Sequence, residues 1–270
     1  MSQTILDKKY PFRKEYDASK TIYENDENKV NINFIAVVER FDSFRYRIKR
    51  KDILINNKPP DLVVEQVSEK VGNIFSLLEV EILENGNLKN ISNLDEIYTR
   101  WKNLKTEFRE YYDGKGAQEI VKTTDNELKS KSEIQNRILN SLFYRLYFLP
   151  FSDYIKNKDT DLDLYLPVFP YKNKVKYRIK TEKFELSENG KMIMRISGEC
   201  SDPRSMIQII NNRKETAADQ KKCSGKVELI YQFNKEDGSV FSINSEIVLQ
   251  SEDKENERRI IFELNQINTK

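Results

Sequence analysis

The residues whose chemistry is easiest to name are the two cysteines, Cys200 and Cys223. They stand at the two ends of one excursion of the chain, after one predicted strand and before another. If those strands pair antiparallel, the two sulfur atoms can lie opposite each other, and a disulfide there would stabilise the fold by about 3 kcal/mol. In a reducing cytoplasm the same pair would stay as packed thiols. The sequence leaves both states open.

Three aspartates, Asp159, Asp161 and Asp163, have the opening spacing of a calcium-binding EF-hand loop. That loop also needs a glycine at its sixth position and a glutamate at its twelfth. This chain has Leu164 and Pro170 at those two positions, so the calcium loop is incomplete. We interpret the acidic run as a solvated connection.

The chain contains no histidine. Ser-His-Asp triads, Cys-His dyads and histidine-bound zinc are therefore excluded together, since each needs an imidazole. No serine stands in a G-x-S-x-G elbow, and Gly114 with Gly116 lacks the third glycine of a dinucleotide-binding loop. We predict no catalytic residue, no metal and no cofactor, and we favour a protein without enzymatic activity.

Two predicted strands carry basic residues on one face and aromatic residues on the other. A sheet that stacks nucleic-acid bases needs cations and aromatics on the same face. The 46 basic and 44 acidic residues also nearly cancel, with a net charge of +2. Nucleic acid is therefore not the expected partner of the two basic stripes, which are Arg45, Arg47, Lys49 and Lys51, and Lys174, Lys176, Arg178 and Lys180.

The longest helical pattern lies between Asn93 and Pro150, with strand-like patterns before and after it. Asn93 and Glu96 have the spacing of a capping box, in which two side chains satisfy the first amides of a helix. Apolar residues then recur at steps of four and three, which predicts one face packed against a core: Ile97, Trp101, Leu104, Phe108 and Tyr111. Gly114 and Gly116 end this helix, and a second helical run follows it.

From Leu139 the second run is apolar on most sides, which indicates either deep burial or an interface with another protein. The run is too short, and too interrupted by Arg145, to span a bilayer. The candidate interface residues are Leu142, Phe143, Tyr147, Phe148 and Phe151.

Alternating apolar and polar residues predict antiparallel hairpins on both sides of this tract. The predicted class is α+β, with meander sheets from two ββ-α-ββ-like halves packed against a central helical hairpin. The divisions are 1–92 for the first half, 93–150 for the helices and 151–270 for the second half, sharing one continuous core. Met1 to Lys29 is predicted as an edge strand or a flexible arm, and Phe151 to Lys172 as a crossing linker.

Two functions fit these patterns. The first is a non-enzymatic bacterial interaction protein, such as a subunit of an assembly or an immunity-type partner, with homo-oligomers also allowed. The alternative is a carrier of an apolar ligand or lipid, since paired hairpins around a helical layer resemble in outline bacterial envelope carriers that hold lipids in a curved sheet. The polar residues Met1 to Lys20 lack a signal peptide's apolar core, which favours the cytoplasm, with the periplasm as the alternative if an export signal was removed.

Overall fold

Long alternating segments of the chain form the strands of one antiparallel sheet. The computed structural model describes residues 11–60, 63–83, 88–111, 114–139, 141–149, 161–169, 172–181, 185–187, 190–213 and 222–267. The strands are β1 (Phe12–Glu24), β2 (Glu27–Arg40), β3 (Arg45–Ile55), β4 (Leu77–Ile82), β5 (Leu88–Ile91), β6 (Leu162–Leu166), β7 (Val175–Thr181), β8 (Glu185–Leu186), β9 (Met192–Cys200), β10 (Ser224–Phe233), β11 (Val240–Gln250) and β12 (Glu257–Gln266).

Helices lie between β3 and β4, between β5 and β6, and between β9 and β10. Those in the described ranges are α1 (Val63–Asn73), α2 (Leu94–Tyr111), α3 (Lys115–Glu127), α4 (Lys131–Leu139), α5 (Leu142–Phe148) and α6 (Met206–Ile210). None of these described helices is both long and apolar enough to cross a membrane.

The strand order in the sheet is β5-β4-β3-β2-β1-β12-β11-β10-β9-β7-β6, with β8 paired to β9 beside this path. The α+β class with a large antiparallel sheet is therefore confirmed. The sheet is single, because β1 and β12 pair and so join the two predicted halves. Four helices, α2 to α5, stand where the sequence predicts a helical hairpin. The division at residues 92 and 150 stays a prediction.

Strand β1 lies in the middle of the sheet, between β2 and β12, so the prediction of an edge strand or flexible arm is corrected. This strand is difficult to recognise from the sequence, because Lys14 and Lys20 fall at positions that face the same side as its apolar residues. Those apolar residues are Phe12, Tyr16, Ala18 and Ile22, all buried. A shorter strand, β6, lies inside the predicted linker for a similar reason, since acidic residues flank its leucines.

The two faces of the sheet differ sharply in chemistry. One face, called here the inner face, is apolar across both halves and includes Tyr46, Tyr177, Tyr231 and Phe262, each at most 2% exposed. The outer face carries ion pairs between neighbouring strands, such as Arg47 with Glu79 at 2.7 Å and Lys51 with Glu15 at 2.6 Å. Alternation with a period of two produces this division.

The sheet curls toward its inner face at the β7 end. The Tyr177 hydroxyl on β7 donates a hydrogen bond to the Val248 carbonyl on β11 at 3.1 Å, although β9 and β10 lie between them. In a flat sheet these strands would be about 14 Å apart, because adjacent strands are spaced at ~4.8 Å. Gly198 on β9 allows a close approach here, since a Cβ atom at this position would lie 2.3 Å from the Arg178 carbonyl oxygen.

Helix α5 packs against the middle of the inner face. The Tyr147 and Tyr16 hydroxyls are 3.4 Å apart, and the Tyr16 hydroxyl donates to the Val240 carbonyl at 2.8 Å. On the other side, the Tyr231 hydroxyl donates to the Leu146 carbonyl at 3.0 Å. These buried hydrogen bonds hold α5 to β1 and β10, so this part of the face is filled by the chain itself.

Candidate functional site

Lys20 is the most unusual side chain on the inner face. It lies on β1, directly opposite Ile32 of β2 and Phe262 of β12. Its neighbours along the strand on the same face are Ala18 and Ile22, both buried. A lysine at this position places an ammonium group within an apolar surface, where charged groups are rarely found without a partner.

The Lys20 side chain is half-buried, and its ammonium has no counter-ion among the residues that the structure describes. Burial lowers the pKa of Lys20 to about 8, and the positive charge of Arg258 adds to this shift. Within the described ranges, no carboxylate or other acceptor forms a hydrogen bond or ion pair with its Nζ atom. A partly buried charge without a counter-ion destabilises a fold unless something else binds it.

Arg258 supplies the second positive charge and comes from β12, opposite Glu24 of β1. It is 7% exposed, and burial lowers its pKa. Its Nε atom donates to the Val168 carbonyl at 2.9 Å, its guanidinium lies 4.7 Å from the centre of the Phe169 ring, and Nη1 pairs with the Glu24 carboxylate. Glu24 thus offsets the charge of Arg258, and the charge of Lys20 remains. Lys20, Arg258 and Glu24 are called the Lys20 site below.

The inner face beside the Lys20 site is apolar but only partly covered. Ile32 and Ile53 pack against the edge of the core, and the neighbouring side chains of the same end of β2 and β3 are equally half-buried. We call this surface the half-buried end of the inner face, and its residues are Val30, Ile32, Ile53 and Ile55. It differs from the region under α5, where the side chains are fully buried.

Two further polar atoms of the inner face are buried and have no hydrogen-bond partner among the described residues. They are the Tyr144 hydroxyl oxygen on α5 and the Arg50 Nε atom on β3. Burial raises the pKa of Tyr144 to about 12, and the nearby charge of Arg50 opposes that shift. Buried polar groups are nearly always satisfied in folded proteins, so these two atoms are exceptions within the core.

The aromatic side chain of Phe143 links these groups. Its ring centre lies 5.9 Å from that of Phe34, 6.4 Å from that of Phe262 and 5.1 Å from that of Tyr144. Phe262 is the direct neighbour of Lys20 across the strand pair. The unmatched hydroxyl and the unmatched ammonium are therefore placed on two sides of one aromatic cluster.

The candidate interface residues of α5 are buried inside the chain. Leu142, Phe143, Tyr147 and Phe148 are at most 6% exposed, and Phe148 packs edge-on against Tyr46 with ring centres 5.1 Å apart. The fifth, Phe151, lies outside the described residues. Of the two interpretations of this apolar run, deep burial is the one observed, and contact of α5 with another protein stays a prediction.

The two cysteines lie together at the far end of the sheet. The Sγ atoms of Cys200 and Cys223 are 3.7 Å apart, and both cysteines are free thiols. A hydrogen bond from the Cys223 thiol lowers the pKa of Cys200, whereas the same contact and burial raise the pKa of Cys223. The antiparallel arrangement on which the disulfide hypothesis depends is present, and the disulfide itself stays a prediction.

The acidic run and the basic stripes form ion pairs with each other on the outer face. Asp163 pairs with Lys176 at 2.7 Å and Asp161 with Lys180 at 3.5 Å, while Asp159 lies outside the described residues. Among the side chains that the structure places, no three metal-ligating groups come together.

Sequence reasoning missed the Lys20 site. The signal was present, because Lys20, like Lys14, falls on the positions that Phe12, Tyr16, Ala18 and Ile22 make apolar. Its interpretation requires the partner strand, since Arg258 is 238 residues away along the chain and is brought close only by the pairing of β1 with β12.

No known protein family matches this chain, and no curated protein matches it. A solved structure described as "Lipid-protein interactions in lipovitellin" aligns with 96% of this chain at 8% identity and a TM-score of 0.43. The alignment covers 25% of that protein, so this chain spans about a quarter of its length. An alignment at this level supports no statement about function.

Proposed function

We propose that the chain binds an apolar small molecule or lipid at the half-buried end of the inner face and carries it, as proteins of the cell envelope do. The observation that carries this proposal is the combination of half-buried isoleucines with the unpaired Lys20 ammonium on one face of the sheet. Ligand sites of proteins have this composition, a mostly apolar lining with a few polar groups that orient the ligand.

The position of the ligand follows from which parts of the inner face the chain itself already covers. Helix α5 occupies the middle of the inner face through its hydrogen bonds to Tyr16 and from Tyr231, so a ligand has no room there. At the half-buried end, Ile32 and Ile53 still expose apolar surface. Burial of such surface favours binding by about 25 cal/mol per Å².

The proposal is tested with N-phenyl-1-naphthylamine, an uncharged dye that fluoresces when it enters an apolar environment. Ile53 and its sequence neighbour Leu54 are both half-buried but face opposite sides of β3. We expect the wild-type protein to raise the dye's fluorescence, Ile53→Asp to abolish most of that rise, and the matched control Leu54→Asp to retain it. No rise with the wild type, or equal losses in the two variants, would contradict the proposal.

A protein partner is the second candidate function. The observation that favours it is on α6, where Ile207 and Ile210 are 69% and 40% exposed. Exposed apolar side chains on one helix are typical of contact surfaces. The test is to weigh the protein, recovered from its own cells, by native mass spectrometry. Added mass of another polypeptide, or a multiple of 32.0 kDa, would support this candidate, and the bare monomer mass would oppose it.

A further inference from the structure

We propose that the Lys20 site binds the head group of an anionic amphiphile that carries a single negative charge, with a long-chain carboxylate as the simplest example. This inference rests on the proposed function, because the apolar tail would occupy the half-buried end of the inner face. It adds the chemical class of the ligand and the residues that select it.

The charge balance of the site specifies a monoanion. Arg258 is already paired with Glu24, whereas Lys20 has no acceptor within the described ranges. One positive charge is therefore left on a surface that is otherwise apolar. A single negative charge would satisfy it fully, while a neutral head group would leave the ammonium unpaired and a cationic one would be repelled.

The arrangement of the strands also gives the ligand a direction. Arg258 lies opposite Glu24, at the rim of the sheet next to the turn between β1 and β2, and Lys20 lies two inner-face positions further in. Ile32, directly opposite Lys20, begins the apolar surface. A head group held between Lys20 and Arg258 therefore places its tail next to Ile32 and Ile53.

Arg258 retains hydrogen-bonding capacity for such a head group. Its Nε atom is used by the Val168 carbonyl and its Nη1 atom by Glu24. The remaining terminal nitrogen, Nη2, makes no hydrogen bond to any residue that the structure describes. Nη2 therefore remains a charged donor beside the Lys20 ammonium, and hydrogen bonds from charged donors to a carboxylate are stronger than those between neutral groups.

The experiment compares three ligands with the same twelve-carbon tail, namely dodecanoate, dodecanol and dodecyltrimethylammonium. Each competes with the dye for the full-length protein at concentrations below those at which it self-associates. We expect dodecanoate to bind on the order of ten- to a hundredfold more tightly than dodecanol, because hydrogen bonds to charged groups have about that effect. Dodecyltrimethylammonium should bind most weakly.

Three variants assign the effect to Lys20. Lys20→Met should abolish the preference for dodecanoate over dodecanol, and Lys20→Arg should retain most of it because the charge is kept. Lys14→Met is the matched control, since Lys14 lies on the same face of β1 but is paired with Asp237 at 3.0 Å. That variant should leave the preference unchanged.

The outcomes separate the two proposals. Equal affinity of the wild type for dodecanoate and dodecanol, or an undiminished preference in Lys20→Met, would overturn the assignment of the head group and leave the apolar site standing. If none of the three ligands displaces the dye, or the dye itself does not bind, both proposals fail. Dodecyl phosphate is included as a fourth ligand, and tighter binding of this dianion than of dodecanoate would overturn the specification of a single charge.

Discussion

The Sγ atom of Cys200, at the end of β9, lies 3.7 Å from the Sγ atom of Cys223, immediately before β10. The register of β9 against β10 sets this distance, with Glu199 of β9 opposite Lys226 of β10. The two thiols are 23 positions apart along the chain and still meet without any intervening side chain. Their contact is therefore a product of strand pairing and does not depend on the long excursion between them.

This contact predicts that a mild oxidant converts the pair to a disulfide without unfolding the protein. Cys200 should react first, because the hydrogen bond from Cys223 lowers its pKa and so favours the thiolate. The closed loop should stabilise the fold by about 3 kcal/mol. Thiol titration before and after oxidation, together with urea unfolding, measures both effects. Cys200→Ser serves as the control, and two thiols that persist after oxidation would contradict the prediction.

The second prediction concerns how much the unpaired Lys20 side chain lowers the free energy of unfolding. Lys20→Met should raise the free energy of unfolding at pH 7 by up to about 3 kcal/mol, because it removes an unpaired, half-buried charge whose pKa is lowered from 10.5 to about 8. Methionine has a similar length and suits an apolar surface. Urea unfolding of the wild type and the variant gives the difference. Lys14→Met, which breaks the ion pair with Asp237, should show no such gain. A variant no more stable than the wild type would refute this explanation.

The same residue predicts a dependence of stability on pH. Below pH 8 Lys20 is protonated in both the folded and the unfolded chain, so its destabilising effect is complete. Between pH 8 and 10.5 the unfolded chain holds more protons than the folded chain, and this group makes the wild type more stable as the pH rises. The charged groups that face Lys20 are Arg258 and, through it, Glu24.

The difference in free energy of unfolding between Lys20→Met and the wild type should therefore decrease from pH 8 toward pH 10.5. Unfolding of both proteins in urea at pH 7 and at pH 10 measures this change. Because the other titrating groups are common to both proteins, their contributions largely cancel in the difference. A difference that stays constant across this range would show that the ammonium is not buried as described.

The fourth prediction tests the curl of the sheet. Gly198→Ala should lower the free energy of unfolding by about 1–3 kcal/mol, because its Cβ atom would lie 2.3 Å from the Arg178 carbonyl oxygen and force the strands apart. Gly72 in α1 is the matched control, since a Cβ atom there meets nothing within 4 Å. Gly72→Ala should instead stabilise the helix by up to about 1 kcal/mol. Similar effects of the two substitutions would contradict a close approach at β9.

Much of the fold could be predicted from the sequence where local signals agree with the tertiary structure. The strands β10, β11 and β12 follow clear alternation between turn residues, and they pair antiparallel as that pattern predicts. Asn93 shows where local signals stop being sufficient. Its spacing to Glu96 predicts a helix cap, but its side chain accepts from the Glu79 amide and donates to the Leu77 carbonyl, each at 3.0 Å. These two hydrogen-bond partners belong to strand β4, and the local sequence around Asn93 does not indicate them.

The candidate site could not be predicted for a related reason. The functional groups of the site belong to residues that interrupt the alternating pattern of a strand. A lysine at an apolar position of such a segment normally indicates an exposed strand. Lys20 can be recognised as part of a covered strand only when the pairing of β1 with β2 and β12 is known. The apolar run of α5, in contrast, could be recognised from the sequence, because Leu142 and Phe143 need no partner to indicate burial.

The last prediction compares two buried tyrosines that differ in one respect. The Tyr231 hydroxyl donates to the Leu146 carbonyl at 3.0 Å, whereas the Tyr144 hydroxyl has no hydrogen-bond partner in the part of the chain that the structure describes. Tyr231→Phe should lower the free energy of unfolding by about 1–2 kcal/mol, because it leaves a buried carbonyl with one partner fewer. Tyr144→Phe should leave the free energy of unfolding unchanged or raise it, since it removes an unsatisfied polar atom from the core. Urea unfolding measures both.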